Sequence, residues 1–260
     1  MGFTEWFGLA GKRVLVTGAS RGLGREMALA LAEAGADIVI TGRTQDTLEA
    51  TATEIRALGR QAWPIKGDMA IPEECEMTCQ RILEEIGPID ILVNNVGNRA
   101  VNVALQDESL AAWRSSIDLN LTSCFVATKI MGASMVARAR GGRIINIASI
   151  SALIANRGIG GRDYETSKAA VLHFTRCAAV DWAPYGVTVN AICPGLFMTD
   201  ANREWNRTRP DIIEAFVSNV PMKRAGNAPE IGPLAVYLAS PAAAYVTGAA
   251  FVIDGGYTLW

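Results

Sequence analysis

Seven short apolar runs, rich in β-branched residues, alternate with helical patterns along almost the whole 260-residue chain. They are "RVLVT" (13–17), "DIVIT" (37–41), "QAWPIK" (61–66), "IDILV" (89–93), "GRIINIA" (142–148), "VTVNAI" (187–192) and "AAFVI" (249–253). Strands that are apolar along their whole length are typical of a parallel sheet that helices cover on both sides. The pattern predicts an α/β fold: one doubly wound Rossmann domain spanning 1–260, with a seven-stranded parallel sheet and helices on both faces.

The overall composition is that of an ordinary globular protein. Half of the residues are hydrophobic, 19% are charged, and the formal net charge is −2. This balance offers no bulk positive charge for nucleic acid or for an anionic membrane surface, so neither is expected as a partner.

Cysteine usage and the N-terminus both favour a cytoplasmic location. The five cysteines include no CxxC pair, so reduced and mostly buried thiols are expected. Cys75 and Cys79 lie four residues apart without a nearby His, and no metal site is expected. The N-terminal "MGFTEWFGLAGKR" lacks the basic start and apolar run of a signal peptide. The apolar "LAVYLASPAAAYVTGAAFVI" is broken by Pro241 and Gly248, which favours a buried helix, a turn and a strand over a membrane span.

A glycine-rich turn, "TGASRGLG" (17–24), directly follows the first predicted strand and opens the first helix after it. Gly18, Gly22 and Gly24 allow a tight turn, close approach of the backbone to a pyrophosphate, and close packing of helix on strand. The spacing is GxxxGxG instead of the usual GxGxxG. Its place in a strand–turn–helix unit nevertheless indicates a dinucleotide site.

The end of the second predicted strand bears on which dinucleotide is bound. A site that prefers NAD usually has an acidic residue there for the ribose 2′-hydroxyl, whereas this strand ends in Gly42 and Arg43. Arg21 lies in the glycine turn nearby, and two guanidiniums suit a 2′-phosphate. The sequence therefore predicts NADP, with NAD as the alternative. The competing interpretation is that both arginines are simply exposed on loops.

Several motifs, taken together and in order, resemble the short-chain dehydrogenase/reductase family. They are "TGASRGLG", "NNVG" (94–97), Asn120 in "IDLNL", "NIAS" (146–149), "YETSK" (164–168), "NAICPG" (190–195) and "YVTGAAFVIDGG" (245–256). The N-terminal "FGLAGKRVLVTG" and the layout are nearest the gluconate 5-dehydrogenase-like branch. Val96 departs from the usual Ala of "NNAG", and the segment from Ser149 to Tyr164 is longer than is common in the family.

The resemblance implies hydride transfer between nicotinamide and a secondary alcohol or ketone. Tyr164 is the expected acid/base, and Lys168, one helical turn on, can lower its pKa from about 10 by ~1–3 units. The resemblance also implies that Lys168 bonds the nicotinamide ribose, that Ser149 bonds the substrate oxygen, and that Asn120 holds a water in a proton relay.

Each of these residues also has a purely structural interpretation. Tyr164 and Lys168 could be an ordinary surface pair, Ser149 could cap a strand end with Ser151 as a rival, and Asn120 could be satisfied locally. Asp68 could cap the following helix instead of contacting adenine. Taken singly, each residue fits its structural interpretation. The functional interpretation is favoured because the residues occur together and in the order of the family's motifs.

The residues expected to bind the cofactor combine the glycine turn, the strand ends and the catalytic pair. They are Gly18, Ser20, Arg21, Gly22, Leu23, Gly24, Arg43, Asp68, Met69, Asn95, Gly97, Tyr164, Lys168, Pro194, Gly195 and Thr199.

Arginines near the predicted mouth of the site suggest the kind of substrate. Arg99 follows the fourth strand, and Arg157 and Arg162 lie between Ser149 and Tyr164. These three and Ser151 are the expected substrate contacts. The polar, Arg-rich segment 197–228, with Arg203, Arg207 and Arg209, is expected to be a substrate lid. Clustered guanidiniums suit an anion, which predicts a small anionic sugar or sugar acid. An arginine-rich rim, or salt bridges across a subunit interface, would give the same pattern.

Two other functions stay open at this level. One is a 3-oxoacyl thioester reductase whose arginines meet an acidic carrier protein. The other, less favoured, is an NADP(H)-binding sensor without catalysis, against which the intact Ser149, Tyr164 and Lys168 argue. The resemblance further implies a homotetramer or homodimer.

Overall fold

The computed structural model describes residues 2–100, 102–156 and 159–259. Within them, seven parallel strands form one sheet in the order β3-β2-β1-β4-β5-β6-β9. The strands are β1 (Arg13–Val16), β2 (Asp37–Gly42), β3 (Ala62–Lys66), β4 (Ile91–Asn94), β5 (Gly142–Ile147), β6 (Val187–Pro194) and β9 (Ala250–Ile253). Two short strands, β7 (Phe197–Met198) and β8 (Gly226–Asn227), pair separately. The predicted seven-stranded α/β sheet is confirmed, with strand ends that differ by one or two residues.

The helices lie on both faces of the sheet, as the apolar strands require. They are α1 (Phe3–Phe7), α2 (Gly22–Glu33), α3 (Gln45–Ala57), α4 (Pro72–Glu85), α5 (Leu110–Ile117), α6 (Ser123–Arg138), α7 (Arg162–Trp182), α8 (Asp200–Thr208), α9 (Pro210–Ser218) and α10 (Gly232–Ala239). Adjacent β1 residues point to opposite faces. Val14 and Val16 join a core with α2, α3 and α10, whereas Leu15 joins a core with α4, α6 and α7. β1 is therefore buried on both sides.

Two of the described strands contain proline: Pro194 is the last residue of β6, and Pro64 lies inside β3. Pro64 lies in β3, the strand at one end of the sheet order. An edge strand leaves one row of backbone groups unpaired, so the missing N–H of proline can face outward at small cost. The edge position of β3 thus explains a residue that argues against a central strand.

The order of the strands reverses at β1, which has β2 on one side and β4 on the other. Connections from β1 and β4 leave in opposite directions at this point, so a crevice opens beyond the carboxyl ends of the strands. The glycine turn after β1 and the "NNVG" segment at the end of β4 face each other across it.

Buried amides brace the centre of the sheet. Asn94 Nδ2 donates to Asn146 Oδ1 (2.9 Å) and to Thr128 Oγ1 (2.8 Å), and Asn146 Nδ2 donates to Thr175 Oγ1 (2.9 Å). The network ties β4 and β5 to α6 and α7. Because α7 carries Tyr164 and Lys168, the network also fixes the catalytic helix against the sheet.

One long helical stretch, Leu110–Arg138, has the length and apolar composition that a membrane-crossing helix needs. It joins α5 and α6 through a π turn at Asp118–Thr122. Ala127, Met131 and Met135 of α6 lie in the core beneath the sheet, which is the pattern of a core helix. The apolar segment 234–253 forms the end of α10, a short turn and β9, as its Pro and Gly predict.

Replacement of Asn146 by Ala should destabilise the protein by about 2–3 kcal/mol. The change removes the bonds to Asn94 and Thr175 and leaves buried polar groups without partners, each worth roughly 1 kcal/mol or more. Urea unfolding followed by circular dichroism measures the loss. Asn219→Ala, at an exposed asparagine, is the matched control and should change the free energy of unfolding by less than about 0.5 kcal/mol. Equal effects of the two variants would contradict the bracing role.

Candidate active site

A cleft of about 600 Å³ lies at the carboxyl ends of the strands, in the crevice at the order reversal. It brings together almost all of the predicted site residues. Those that line it are Gly18, Ser20, Arg21, Gly22, Leu23, Arg43, Asp68, Met69, Asn95, Gly97, Arg99, Ser149, Ser151, Tyr164, Lys168, Pro194, Gly195 and Thr199. Gly24, Asn120 and Arg162 lie behind this lining, and Arg157 falls outside the described residues.

The glycine turn has the shape that its glycines predict. Gly18 (φ +66°) and Gly22 (φ +60°) adopt left-handed backbone conformations that side chains disfavour. A Cβ at Gly24 would lie 2.4 Å from Asn95 Nδ2 and 2.5 Å from the Gly18 carbonyl oxygen. Asn95 Nδ2 in turn donates to the carbonyls of Thr17 (3.1 Å) and Gly18 (3.0 Å). The turn is therefore held closely against the end of β4.

The N-terminus of α2 opens into the cleft. Its N-cap residue, Arg21, makes no side-chain capping bond, so the first backbone N–H groups of the helix are available to a ligand. Free N–H groups and the positive end of the helix dipole favour an anion such as a pyrophosphate. Thr199 closes this end of the cleft, since a Cβ at Gly22 would lie 3.6 Å from Thr199 Cγ2.

Two arginines stand where an adenine ribose would be bound. Arg21 and Arg43 are exposed and line the cleft, and neither forms an ion pair with any described residue. The position at the end of β2 is held by Gly42, where a Cβ would meet Leu48 Cδ2 at 3.2 Å and Ser20 Oγ at 3.4 Å. Unpaired guanidiniums and the missing acid fit a 2′-phosphate.

Asp68 does not cap the next helix. Its Oδ1 accepts a bond from Ala70 N (3.0 Å), while α4 begins at Pro72 with Ile71 at the cap position. The carboxylate therefore folds the turn after β3 and stays at the cleft, together with Met69.

Tyr164 and Lys168 face the cleft from the first turns of α7, with Ser149 after β5 opposite them. Lys168 Nζ lies 5.8 Å from the centre of the Tyr164 ring and donates to the Ile147 carbonyl (2.8 Å). Ser149 Oγ accepts a bond from Ser151 N (3.1 Å). The helical spacing brings the Tyr164 phenol and the Lys168 ammonium together, and the end of β5 brings the Ser149 hydroxyl to the same cleft.

Burial strongly affects both titratable groups of this site. It lowers the pKa of Lys168 to about 8, because the charged ammonium is taken out of water. Burial also raises the pKa of Tyr164 above its usual value, while the Ser149 hydroxyl and the Arg99 charge oppose that rise. Arg99 Cζ lies 4.7 Å from the Tyr164 ring centre, nearer than Lys168 Nζ. The cation closest to the phenol ring is therefore one that the sequence analysis assigned to the substrate.

Asn120 lies in the π turn behind Gly97. Its Oδ1 accepts from Asn98 N (2.9 Å), and its Nδ2 donates to the carbonyls of Asn98 (3.0 Å) and Ser116 (3.0 Å). A Cβ at Gly97 would lie 2.8 Å from Asn120 Oδ1 and 2.6 Å from Lys168 Nζ. Glycine at this position thus lets the amide and the ammonium approach the backbone from two sides.

The structure corrects the expected place of Arg162. Its guanidinium bonds the Asn156 carbonyl (3.2 Å) and forms an ion pair with Glu165, behind the cleft wall. Ser151 is similarly engaged, since its Oγ accepts from Asn156 Nδ2 (2.9 Å) and Arg99 Nη2 (3.3 Å). Ser151 lines the cleft with its acceptor already used, which leaves Ser149 as the better hydroxyl for a substrate.

The lid arginines also differ from the expectation of a shared anion site. Arg203, Arg207 and Arg209 are exposed and form ion pairs with carboxylates two or three residues away. The large apolar side chains of α8 and α9 that line the cleft, and form an apolar roof over it, are instead Trp205, Ile212, Ile213 and Phe216. Asp200, Ala201 and Asn202, at the start of α8, line the cleft beside them. Sequence reasoning missed this apolar roof because the arginines dominate the segment.

Asn156 and Glu165 were also missed. Both are buried, and Glu165 Oε1 accepts from Asn156 N (3.0 Å) and Asn156 Nδ2 (2.9 Å). A usable signal was present: Arg162 stands three residues before Glu165, a spacing at which helical ion pairs form.

Comparison with known proteins gives an independent assignment. A family model described as enoyl-(acyl carrier protein) reductase matches residues 18–258. The chain is 38% identical to a galactitol 2-dehydrogenase (L-tagatose-forming) from Cereibacter sphaeroides over 260 residues, 100% of each chain. It is 36% identical to a 3-oxoacyl-[acyl-carrier-protein] reductase from a Synechocystis species, covering 97% of this chain and 99% of the relative.

A solved structure agrees with these relatives. A gluconate 5-dehydrogenase from Burkholderia cenocepacia, in complex with NADP and tartrate, matches with a TM-score of 0.91 at 32% identity over 100% of both chains. The resemblance carried by the motifs is thereby confirmed. Matches of this length, together with a glycine turn and Ser149, Tyr164 and Lys168 around one cleft, show that the chain belongs to the short-chain dehydrogenase/reductase family, as an oxidoreductase of the CH–OH group.

Proposed function

We propose that the protein oxidises a secondary alcohol of a small sugar, sugar acid or polyol, or reduces the corresponding ketone, with NADP as its preferred cofactor. The observation that carries the proposal is the pairing of Ser149, Tyr164 and Lys168 with a glycine turn and two unpaired arginines in one cleft. When bound, the nicotinamide supplies or accepts the hydride. The protein supplies the proton and holds the geometry.

Proton transfer is assigned to Tyr164. In alcohol oxidation its phenolate oxygen accepts the hydroxyl proton, and in ketone reduction its phenol returns a proton to the developing alkoxide. Ser149 donates a hydrogen bond to the same substrate oxygen and so orients and polarises it. With the cofactor bound, Lys168 would hold its ribose, and Asn120 would position a water that links the ammonium to solvent.

The substrate part of the cleft has two unlike sides. Polar groups of Asn98, Ser149 and Asn156 lie towards the sheet, and Trp205 and Phe216 lie towards the lid. A carbon chain with hydroxyls suits this arrangement, because its C–H face can pack on an aromatic ring while its hydroxyls meet amides. The names of the galactitol 2-dehydrogenase and gluconate 5-dehydrogenase relatives agree with such a substrate.

An anionic substrate is the finer part of the proposal. Arg99 lines the cleft and brings a positive charge to it, and the bound tartrate named with the solved gluconate 5-dehydrogenase is an anion of this size. The charges of Arg162 and the lid arginines are neutralised by their own carboxylates.

Reduction of a 3-oxoacyl thioester is the second candidate. The Synechocystis relative favours it, and the apolar roof could accept the start of an acyl chain. Turnover of acetoacetyl thioesters distinguishes the two candidates.

A non-catalytic NADP(H) sensor is the third candidate. Tight cofactor binding without turnover of any alcohol or carbonyl would favour it.

Residues 1–260 are proposed to act as one domain, with 197–228 as its substrate lid. Within this segment α8 and α9 cover the cleft, and the Phe216 ring stacks on Tyr257 at 4.2 Å. The stack ties the lid to the C-terminal segment, which gives it a defined closed position.

A homotetramer or homodimer in the cytoplasm is proposed for the assembled enzyme. Apolar side chains of α6 and α7 are exposed, among them Phe125 (45% exposed) and Val180 (75% exposed), and a second chain could cover them. The described cysteines are free thiols, in keeping with a reducing compartment.

A substrate panel tests the reaction. Sugar acids, neutral polyols and acetoacetyl thioesters are assayed with each cofactor, and a polyol or sugar acid is expected to give the highest kcat/KM. Tyr164→Phe should lower kcat at least ~100-fold, since acid–base catalysis contributes about 10²–10⁴-fold. Its affinity for NADP, measured by fluorescence titration, should not change. Preferred turnover of the thioester would overturn the sugar assignment.

Cofactor preference has a separate test. Arg43→Ala should raise KM for NADP about 10- to 100-fold, because one charge-assisted bond is worth ~1.5–3 kcal/mol, and should leave KM for NAD unchanged. Arg81→Ala, an exposed arginine on α4 paired with Glu85, is the control for loss of charge. A preference for NAD in the unmodified protein would contradict the role given to Arg21 and Arg43.

A further inference from the structure

The Arg99 guanidinium lies over the Tyr164 ring and is largely shielded from solvent. Its Cζ is 4.7 Å from the centre of the Tyr164 ring, and its side chain is only 19% exposed. A guanidinium over an aromatic face is attracted by the ring, and more strongly when it is shielded from water. The contact therefore places a permanent positive charge against the phenol.

Four protein acceptors hold this guanidinium in place. Nη1 donates to the carbonyls of Gly160 and Gly161, and Nη2 donates to Ser151 Oγ (3.3 Å) and Glu165 Oε1 (3.5 Å). Both terminal nitrogens are thus committed to the protein. A side chain tied at both ends is fixed over the ring and has little freedom to follow an anionic substrate.

Glu165 is itself held as a carboxylate. Burial alone would raise the pKa of Glu165, but the bonds from Asn156 and the pairing with Arg162 outweigh it and lower the pKa below its usual value. The residue is 7% exposed and stays charged at neutral pH. Arg162 and Asn156 therefore support Glu165, and Glu165 supports Arg99.

The ionisable groups around the Tyr164 side chain come from three parts of the fold. Lys168 and Glu165 lie on α7, Cys193 on β6, and Arg99 on the segment after β4. Burial raises the pKa of Cys193 to about 11, so this thiol is neutral at working pH. Burial also lowers the pKa of Lys168 to about 8, which leaves part of the lysine uncharged in mildly alkaline solution.

We propose that Arg99 is a positioning residue for Tyr164: clamped by Glu165 and the carbonyls of Gly160 and Gly161, it fixes the ring and stabilises its phenolate form. This inference deepens the proposed function and rests on it for the role of Tyr164. Besides the positive charge that it brings to the cleft, Arg99 thereby has a role in proton transfer. The segment before Tyr164 contributes to this clamp, since its Gly160 and Gly161 carbonyls accept hydrogen bonds from the Arg99 guanidinium.

The pH profile of alcohol oxidation tests the inference. The rate rises with pH as Tyr164 deprotonates, and Arg99→Gln should move the midpoint of kcat/KM upward by about one pH unit or more, because one close charge shifts a pKa by ~1–3 units. Below the midpoint the variant should lose about tenfold or more in rate for that shift, while its high-pH plateau should be kept. Arg99→Lys should give a smaller shift, since lysine keeps the charge but cannot bridge four acceptors.

Two comparison variants separate the proposed role from others. Glu165→Gln removes a negative charge near the phenol, while its amide oxygen can still accept from Arg99, so this variant should not raise the midpoint. Arg81→Gln, on the remote helix α4, should leave the profile unchanged. An equal loss of rate at every pH would show a merely structural role for Arg99. An unchanged midpoint with a raised KM for anionic substrates alone would show a substrate contact. Either result overturns the inference.

A readout without substrate keeps this test independent of the reaction. The ultraviolet absorbance of tyrosinate is titrated in the unmodified protein, and the curve of Tyr164→Phe is subtracted to isolate Tyr164. In the Arg99→Gln background, the curve of the double variant Arg99→Gln/Tyr164→Phe is subtracted from that of Arg99→Gln. The midpoint of Tyr164 ionisation obtained in this way should lie about one pH unit or more above that of the unmodified protein. If the midpoint of Tyr164 ionisation shifts but no alcohol in the panel is turned over, the inference stands and the proposed function is wrong. Identical midpoints would sink the inference alone.

Discussion

The hydrogen bonds from Asn95 Nδ2 to the carbonyls of Thr17 and Gly18 are the interaction on which the site most depends. They join the end of β1 to the end of β4, the two strands between which the order of the sheet reverses. The same amide occupies the space that a side chain at Gly24 would need. Asn95 thus holds the glycine turn in shape and packs closely against Gly24 of α2. It is also the first residue of the segment that crosses the cleft.

That segment, Asn95–Arg99, connects the nucleotide end of the cleft with its chemical end. Gly97 lies between Asn120 and Lys168, close enough that a methyl group would collide with both. Arg99, two residues further, lies over Tyr164. Five consecutive residues therefore contact the glycine turn, the ammonium, the buried amide and the phenol, so an error in their position would disturb all four.

The sheet, and the meeting of the proposed catalytic residues Tyr164 and Lys168 at one cleft, could be predicted because both follow from local patterns. Apolar strands report burial on two faces, and the fixed helical spacing brings Tyr164 and Lys168 together. The position of the proposed nucleotide-binding residues could also be predicted. Gly42 and Arg43 follow a strand, and the strand order of a doubly wound sheet defines what lies beside its end. What the sequence could not give was the partner of each arginine. The sequence does not distinguish these arginines from one another. In the structure, Arg99 lies over the Tyr164 ring, and Arg162 pairs with Glu165 behind the cleft wall. Arg203, Arg207 and Arg209 pair with carboxylates on the surface.

The ion pairs of the proposed lid segment, 197–228, determine which contacts its movement would break. The ion pairs of Arg203 with Asp200, Arg207 with Glu204 and Arg209 with Asp211 all lie within α8 and α9. When these two helices swing as a unit, none of the three pairs has to separate. What must part is an apolar contact, the Phe216–Tyr257 stack above all. Opening of the proposed lid would therefore be resisted by exposure of hydrocarbon to water. Added salt that screens charges should hardly speed such opening, while chaotropes and mild organic cosolvents should.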